Sequence, residues 1–194
     1  MKFKYGIGAI LASTVLIAGC TTDKGEIKDY NEKIQQAFDE EKPVSSVGKK
    51  LNELEQNKQK LVKKINGKDQ QAAKQTSEKI VDNVEERQKE FKKAQKHLDN
   101  ISDEDKKKEV KELNDALKDK YKAHDNYANA YKNIMNKEKD LFEYGSRDQA
   151  NQEEMNKKTE AVSKSYKTMD KSFNKYKDAM EKVNKEKQDV DNLN

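Results

Sequence analysis

The sequence predicts an all-α protein: an elongated antiparallel helical bundle or coiled coil of three long helices, with two shorter helices on the N-terminal side. Three observations carry that prediction. Apolar residues recur three and four positions apart through most of the chain, which is the period of one helical face. Charges of both signs are interleaved at 40% of residues, with a single proline, Pro43, and no tryptophan. No stretch alternates apolar and polar residues in the manner of a strand. With 32% hydrophobic residues and a mean hydropathy of −1.30, composition alone lies near the boundary of disorder. The sustained helical period places the chain on the folded side.

The first twenty residues, MKFKYGIGAILASTVLIAGC, differ from everything after them. Lys2 and Lys4 form a short basic region and Tyr5 to Ala18 carries no charge. This apolar run is shorter than the roughly 20 residues of a membrane span, and the layout is that of a secretory signal over residues 1–19. Ile17-Ala18-Gly19-Cys20 resembles a lipobox, with Ile17 where leucine is preferred. Cys20 is the only cysteine, so no disulfide can form within one molecule, and its thiol is the natural acceptor of a thioether-linked lipid. The expected anchor is therefore acyl lipid on Cys20, holding the mature chain to the extracytoplasmic face of the cell membrane. Without the leader the basic count falls from 41 to 39 against 37 acidic residues, a net of about +2. That balance, together with export, argues against a nucleic-acid partner.

Residues 20–26 read as a lipidated tether, and residues 27–194 as a single helical domain. A first helix is expected from Ile27 to about Glu41, with Ile27, Tyr30, Ile34, Ala37 and Phe38 on one face and Lys42-Pro43 as its stop. A second is expected from about Ser46 to Asn66, carrying Val47, Leu51, Leu54, Leu61, Val62 and Ile65, with Gly67 as a C-terminal cap. The third, from about Lys68 to Asn100, places Ala73, Ser77, Ile80, Val84, Arg87, Phe91, Ala94 and Leu98 in a heptad seam diluted by Ser77 and Arg87. Ser102 and Asp105 resemble a capping box that starts the fourth helix, which runs to about Glu143. Its seam is Val110, Leu113, Leu117, Tyr121, His124, Ala128, Tyr131 and Met135. Tyr144-Gly145-Ser146 interrupts the pattern. The last helix, about Asp148 to Asp191, presents Met155, Thr159, Val162, Tyr166, Met169, Phe173, Tyr176, Met180, Val183, Lys187 and Val190.

Short connections between long helices require antiparallel neighbours. A turn centred on Gly145 and Ser146 predicts partner numbers summing to about 290, which would pair Met135 with Met155, Leu117 with Phe173, and a half-buried, neutral His124 with the Tyr166 hydroxyl.

Candidate chemistry is sparse. His97 and His124 are the only histidines, and neither lies at metal-ligand spacing. There is no glycine-rich phosphate loop and no G-x-S-x-G context, so the reading is of a protein that is not an enzyme, with no catalytic residues, cofactor or metal. Tyrosine-lysine pairs recur at Tyr121-Lys122, Tyr131-Lys132, Tyr166-Lys167 and Tyr176-Lys177. The tyrosines fall on or beside the seams and read as core. Lys122, Lys132, Lys167 and Lys177 would then form a charged rim, the candidate contacts to an anionic wall polymer.

The lipobox at Cys20, followed by a Lys-rich, Trp-free helical body of about 175 residues, resembles the YkyA-type cell-wall-binding lipoproteins of Gram-positive bacteria. The resemblance covers the whole chain, with Cys20 the one position in a specific motif. It implies an extracellular lipoprotein facing the wall, with peptidoglycan or teichoic acid as partner. The competing expectation is an accessory lipoprotein that docks by helix packing onto a membrane or envelope complex.

Overall fold

The computed structural model describes residues 34, 36–37, 39–41, 50, 53–58, 60, 67–99 and 108–192. Three long helices account for most of them: α1 (Gly67–Asp99), α2 (Lys108–Gly145) and α3 (Gln152–Asp191). At 1.5 Å per residue these are rods of about 50 to 60 Å. The described residues of 34–41 and 50–60 are helical as well, where the two shorter helices are expected. The expected signal peptide, Cys20 and the residues around Ser102 lie outside the described residues.

α2 is the central helix, packed closely against α1 on one side and α3 on the other, while α1 and α3 do not approach each other as closely. Every residue of the expected α1 and α2 seams is buried, including Ser77, Arg87 and His124. On α3 the register holds as well, although Met155, Thr159, Tyr166, Phe173 and Lys187 are only half-buried. Because α2 has a neighbour on each side, it buries a second stripe that includes Ala116, Lys120, Tyr127, Ile134 and Glu138. Ile34 and Ala37 join the core cluster of Leu98, Val110, Leu117 and Val183, and Leu54 packs on the cluster of Ile80, Val84 and Tyr127. The N-terminal segments therefore contribute to the same core as the long helices.

Gly67 is the first residue of α1, and the end of the helix expected before it lies outside the described residues. No described glycine has a positive φ, so Gly145 does not end α2 by a left-handed cap. A Cβ at Gly145 would lie 2.9 Å from Gln70 Oε1, so the residue provides room beside the start of α1. The chain then turns through Ser146–Ala150, tied by Ser146 N–H to Phe142 O and Ala150 N–H to Arg147 O, both at 3.1 Å. α3 starts later than Asp148 because Asn151 is the N-cap: its Oδ1 accepts the Glu154 N–H at 2.9 Å.

This connection corrects the register. Observed α2–α3 partners sum to between 300, as for His124 with Tyr176 and Tyr127 with Phe173, and 304, as for Glu138 with Tyr166. The pairs expected at 290 are displaced by about three to four turns. A loop centred between Gly145 and Gln152 accounts for about 297. Side chains lean toward the N-terminus of their own helix, so each meets its partner about one residue early on both sides of the antiparallel pair, which adds about two more to the sum.

Candidate functional site

The centre of the bundle is polar. From α2, Lys120 points its ammonium inward, and Nζ lies 2.7 and 2.8 Å from the two carboxylate oxygens of Glu41. The Tyr121 hydroxyl donates to the same carboxylate. Lys120 and Glu41 are 0% and 3% exposed, which makes this a buried ion pair that fastens the N-terminal segment to α2. Burial lowers the Lys120 pKa from its ordinary value, Glu41 opposes that, and the neighbouring Arg87 adds to the lowering. Arg87, from α1, sits 5.4 Å above the Phe91 ring, and its Nε and Nη1 have no hydrogen-bond partner among the described residues.

One turn further along α2, His124 is 1% exposed. Its ring centroid lies 3.9 Å from that of Phe91, the two planes tilted by 38°, and it meets Tyr176 edge-on at 5.3 Å. Burial holds its pKa well below the usual value near 6.5, with Arg87 and Lys120 pushing the same way. The imidazole is therefore neutral near pH 7. It does not reach the Tyr166 hydroxyl, as the register at 290 required, because Tyr166 lies about three turns away and donates to Glu138 at 2.6 Å. Burial also pushes the Tyr176 hydroxyl up, to about 12, against the opposing Arg87.

A second node lies toward the α2–α3 connection. Lys58 Nζ lies 2.7 Å from Glu138 Oε2, 3.0 Å from Glu55 Oε2 and 3.2 Å from Met135 Sδ. Tyr131 donates to Glu55. Burial would lower the Lys58 pKa, but the two carboxylates together outweigh it and the net shift is upward. These nodes tie both N-terminal segments to α2, and through Tyr166 to α3.

The charge on His124 has a measurable consequence. Its folded pKa is depressed, so between that value and about 6.5 the unfolded chain binds the extra proton and the folded chain does not. The stability it contributes is complete above about pH 6.5 and is lost as pH falls below it. The melting temperature is expected to be lower at pH 5 than at pH 7.5, and His124→Gln to narrow that difference. An unchanged difference in the variant would mean that His124 is not the group responsible.

Over this interior lies a groove of about 370 Å³ between α1 and α2, floored by Phe91, Tyr121 and His124 and rimmed by Lys92, Lys118 and Lys122. Of the lysines singled out by the tyrosine-lysine repeat, Lys122 is exposed at this rim and Lys167 is exposed on α3. Lys132 is half-buried and pairs with Glu85 at 3.4 Å, while Lys177 is exposed and pairs with Glu181 at 3.5 Å. No described contact joins the four into one strip. Tyr121, Tyr131 and Tyr176 are core residues and Tyr166 is half-buried, so the repeat is a packing repeat with a charged rim. His97 is a separate, half-buried group 3.8 Å from Glu40. Among the described residues no group of three His, Cys, Asp or Glu is placed to hold a metal ion, and no helix is long and apolar enough to cross a membrane.

Lys120, Glu138, Glu41 and Lys58 were missed in the sequence because charged residues in a chain so rich in them read as solvated faces. The one available signal was position: Lys120 lies three residues after Leu117, and Glu138 three after Met135, where a second buried stripe would fall.

Comparison with curated proteins gives no match. A crystal structure titled as a conserved protein of unknown function from Staphylococcus aureus is similar, with 36% identity and a TM-score of 0.69 over 89% of this chain and 98% of that one. A family model described as "Putative cell-wall binding lipoprotein", YkyA, matches residues 25–193, the two short segments and all three long helices included, and the chain therefore belongs to the YkyA family.

Proposed function

We propose that the protein is a lipoprotein anchored to the extracytoplasmic face of the cell membrane through Cys20, and that its bundle is a non-catalytic wall-binding or structural module. The family match carries this reading: it begins at residue 25, directly after the lipobox and most of the tether. The interior supports it. Perturbed titratable groups in a cleft are candidates for catalysis, but Lys120 and Glu41 are sealed inside the bundle and neutralise each other. The outer surface supports contact with an anionic polymer, since Lys167, Lys171 and Lys175 are exposed along one face of α3 and form no ion pair among the described residues.

The detergent-solubilised chain is expected to co-sediment with purified wall sacculi at low salt. Retention should fall as salt rises, because exposed charges are screened over about 8 Å at physiological ionic strength. Absence of retention at low salt would overturn wall binding, and retention indifferent to both salt and teichoic-acid removal would overturn the electrostatic mechanism. The anchor is tested separately. Cys20→Ala is expected to abolish lipid labelling and detergent-phase partitioning, since stable anchoring takes more apolar surface than one acyl chain supplies. Unchanged partitioning of that variant would end the lipoprotein reading.

A further inference from the structure

We propose that the groove between α1 and α2, floored by Phe91, Tyr121 and His124, is a binding subsite for the polyol phosphate units of a wall polymer; this rests on the wall-binding role proposed above.

The charge on the groove is the first argument. Lys92, Lys118 and Lys122 stand on its rim and have no ion-pair partner among the described residues. Two carboxylates share the rim: Asp119 pairs with Lys182 on α3 at 3.5 Å, and Asp125 accepts a hydrogen bond at 2.5 Å from Gln88, which lines the same groove. Behind the floor, Arg87 and Lys120 are two buried cations, and Glu41 is the carboxylate hydrogen-bonded to Lys120. The Arg87 guanidinium has no hydrogen-bond partner for Nε and Nη1 among the described residues. Lysine ammonium groups suit single phosphodiester oxygens, because each is a compact point charge with rotatable donors.

The second argument is an unpaired buried group. His124 lines the floor, and its Nε2 has no hydrogen-bond partner among the described residues. Buried polar atoms in native structures find a protein or solvent partner, and a polyol hydroxyl next to a phosphate supplies one to a neutral imidazole. The third argument is continuity. Lys122 also borders a shallower hollow of about 120 Å³ between α2 and α3, beside Ser172 and Lys175. Cations therefore continue from the groove across α2 to Lys175 and the other α3 lysines that form no ion pair among the described residues, a track suited to a repeating phosphate.

The test is a titration of the detergent-solubilised full chain with soluble poly(glycerol phosphate), followed by calorimetry and by imidazole nitrogen resonances. The chain has two histidines, so the signals separate cleanly. Those of His124 are expected to shift at saturation while those of His97 stay put. Lys118→Gln with Lys122→Gln should weaken binding about tenfold or more, the equivalent of about 1.4 kcal/mol. A control pair on α3, Lys157→Gln with Lys164→Gln, should change it less than about twofold. Equal weakening by both pairs, or unmoved His124 signals, would overturn the groove in favour of diffuse attraction. Binding to phosphate-free peptidoglycan glycan in place of the polymer would overturn the ligand class. Retention on sacculi separates this inference from the one beneath it. If the groove variant is retained as well as the native chain, the groove fails and wall binding stands; if the native chain is not retained, both fall.

Discussion

Glu41→Ala is expected to destabilise the fold by about 3–5 kcal/mol, the cost of leaving one member of a buried ion pair without its partner. Glu41 is the carboxylate that receives both the Lys120 ammonium and the Tyr121 hydroxyl. Its removal takes from Lys120, 0% exposed and close to Arg87, the carboxylate that both of its short contacts reach. In a chain of this size the melting temperature should fall by about 10 °C or more. The loss should appear first in the N-terminal segment, whose exchange protection depends on that contact. Glu41→Leu combined with Lys120→Met should recover at least half of the lost stability, because a pair of apolar side chains removes both desolvation penalties. A melting temperature for Glu41→Ala within about 2 °C of the native value would show that the segment is not docked through this carboxylate.

The fold was legible in the sequence to the extent that burial follows apolar periodicity. The α1 seam from Ala73 to Leu98 and the α2 seam from Val110 to Met135 are buried throughout, and even the diluting residues Ser77 and Arg87 lie inside. Periodicity fixes a face but not a distance along the axis. The α2–α3 register therefore depended on where the turn was centred, and Gly145 was the wrong marker. Asn151 with Glu154 three residues later was the correct one, since an asparagine N-cap fixes the first turn of α3. Once the loop is longer, His124 meets Tyr176, ten residues beyond its expected partner Tyr166, and both tyrosines remain at seam positions.

The candidate site was less legible because its chemistry comes from residues that pattern arguments assign to solvent. Lys120 is separated from Glu41 by 79 positions and Lys58 from Glu138 by 80. Nothing local marks either pair. What made burial of these charges affordable is the position of α2 between two neighbours. Its second stripe faces the N-terminal segments, where Lys120 of α2 meets Glu41 and Glu138 of α2 meets Lys58.

The second node has a counterpart to the Glu41 result, with a pH dependence of opposite sign to that of His124. Lys58→Met removes the ammonium that lies between Glu55 and Glu138 and leaves two carboxylates facing the hydroxyls of Tyr131 and Tyr166. At pH 7.5 this should cost about 3–5 kcal/mol, as for any buried pair broken on one side. Two like charges in one enclosed site are relieved when one carboxyl takes up a proton. The folded variant then holds a proton that the unfolded chain releases, a contribution that raises its stability as pH falls from 7.5 toward 5 and opposes the loss at His124. The native chain should move the other way over the same range, since protonation of His124 is opposed by burial and by Arg87 and Lys120. Adding Glu138→Gln to Lys58→Met removes the repulsion and should both restore stability at pH 7.5 and abolish the recovery on acidification. Melting curves of the three proteins at pH 7.5 and 5 decide the matter. A Lys58→Met variant that loses stability on acidification as the native chain does would show that Glu55 and Glu138 do not share the enclosed site that the Lys58 contacts describe.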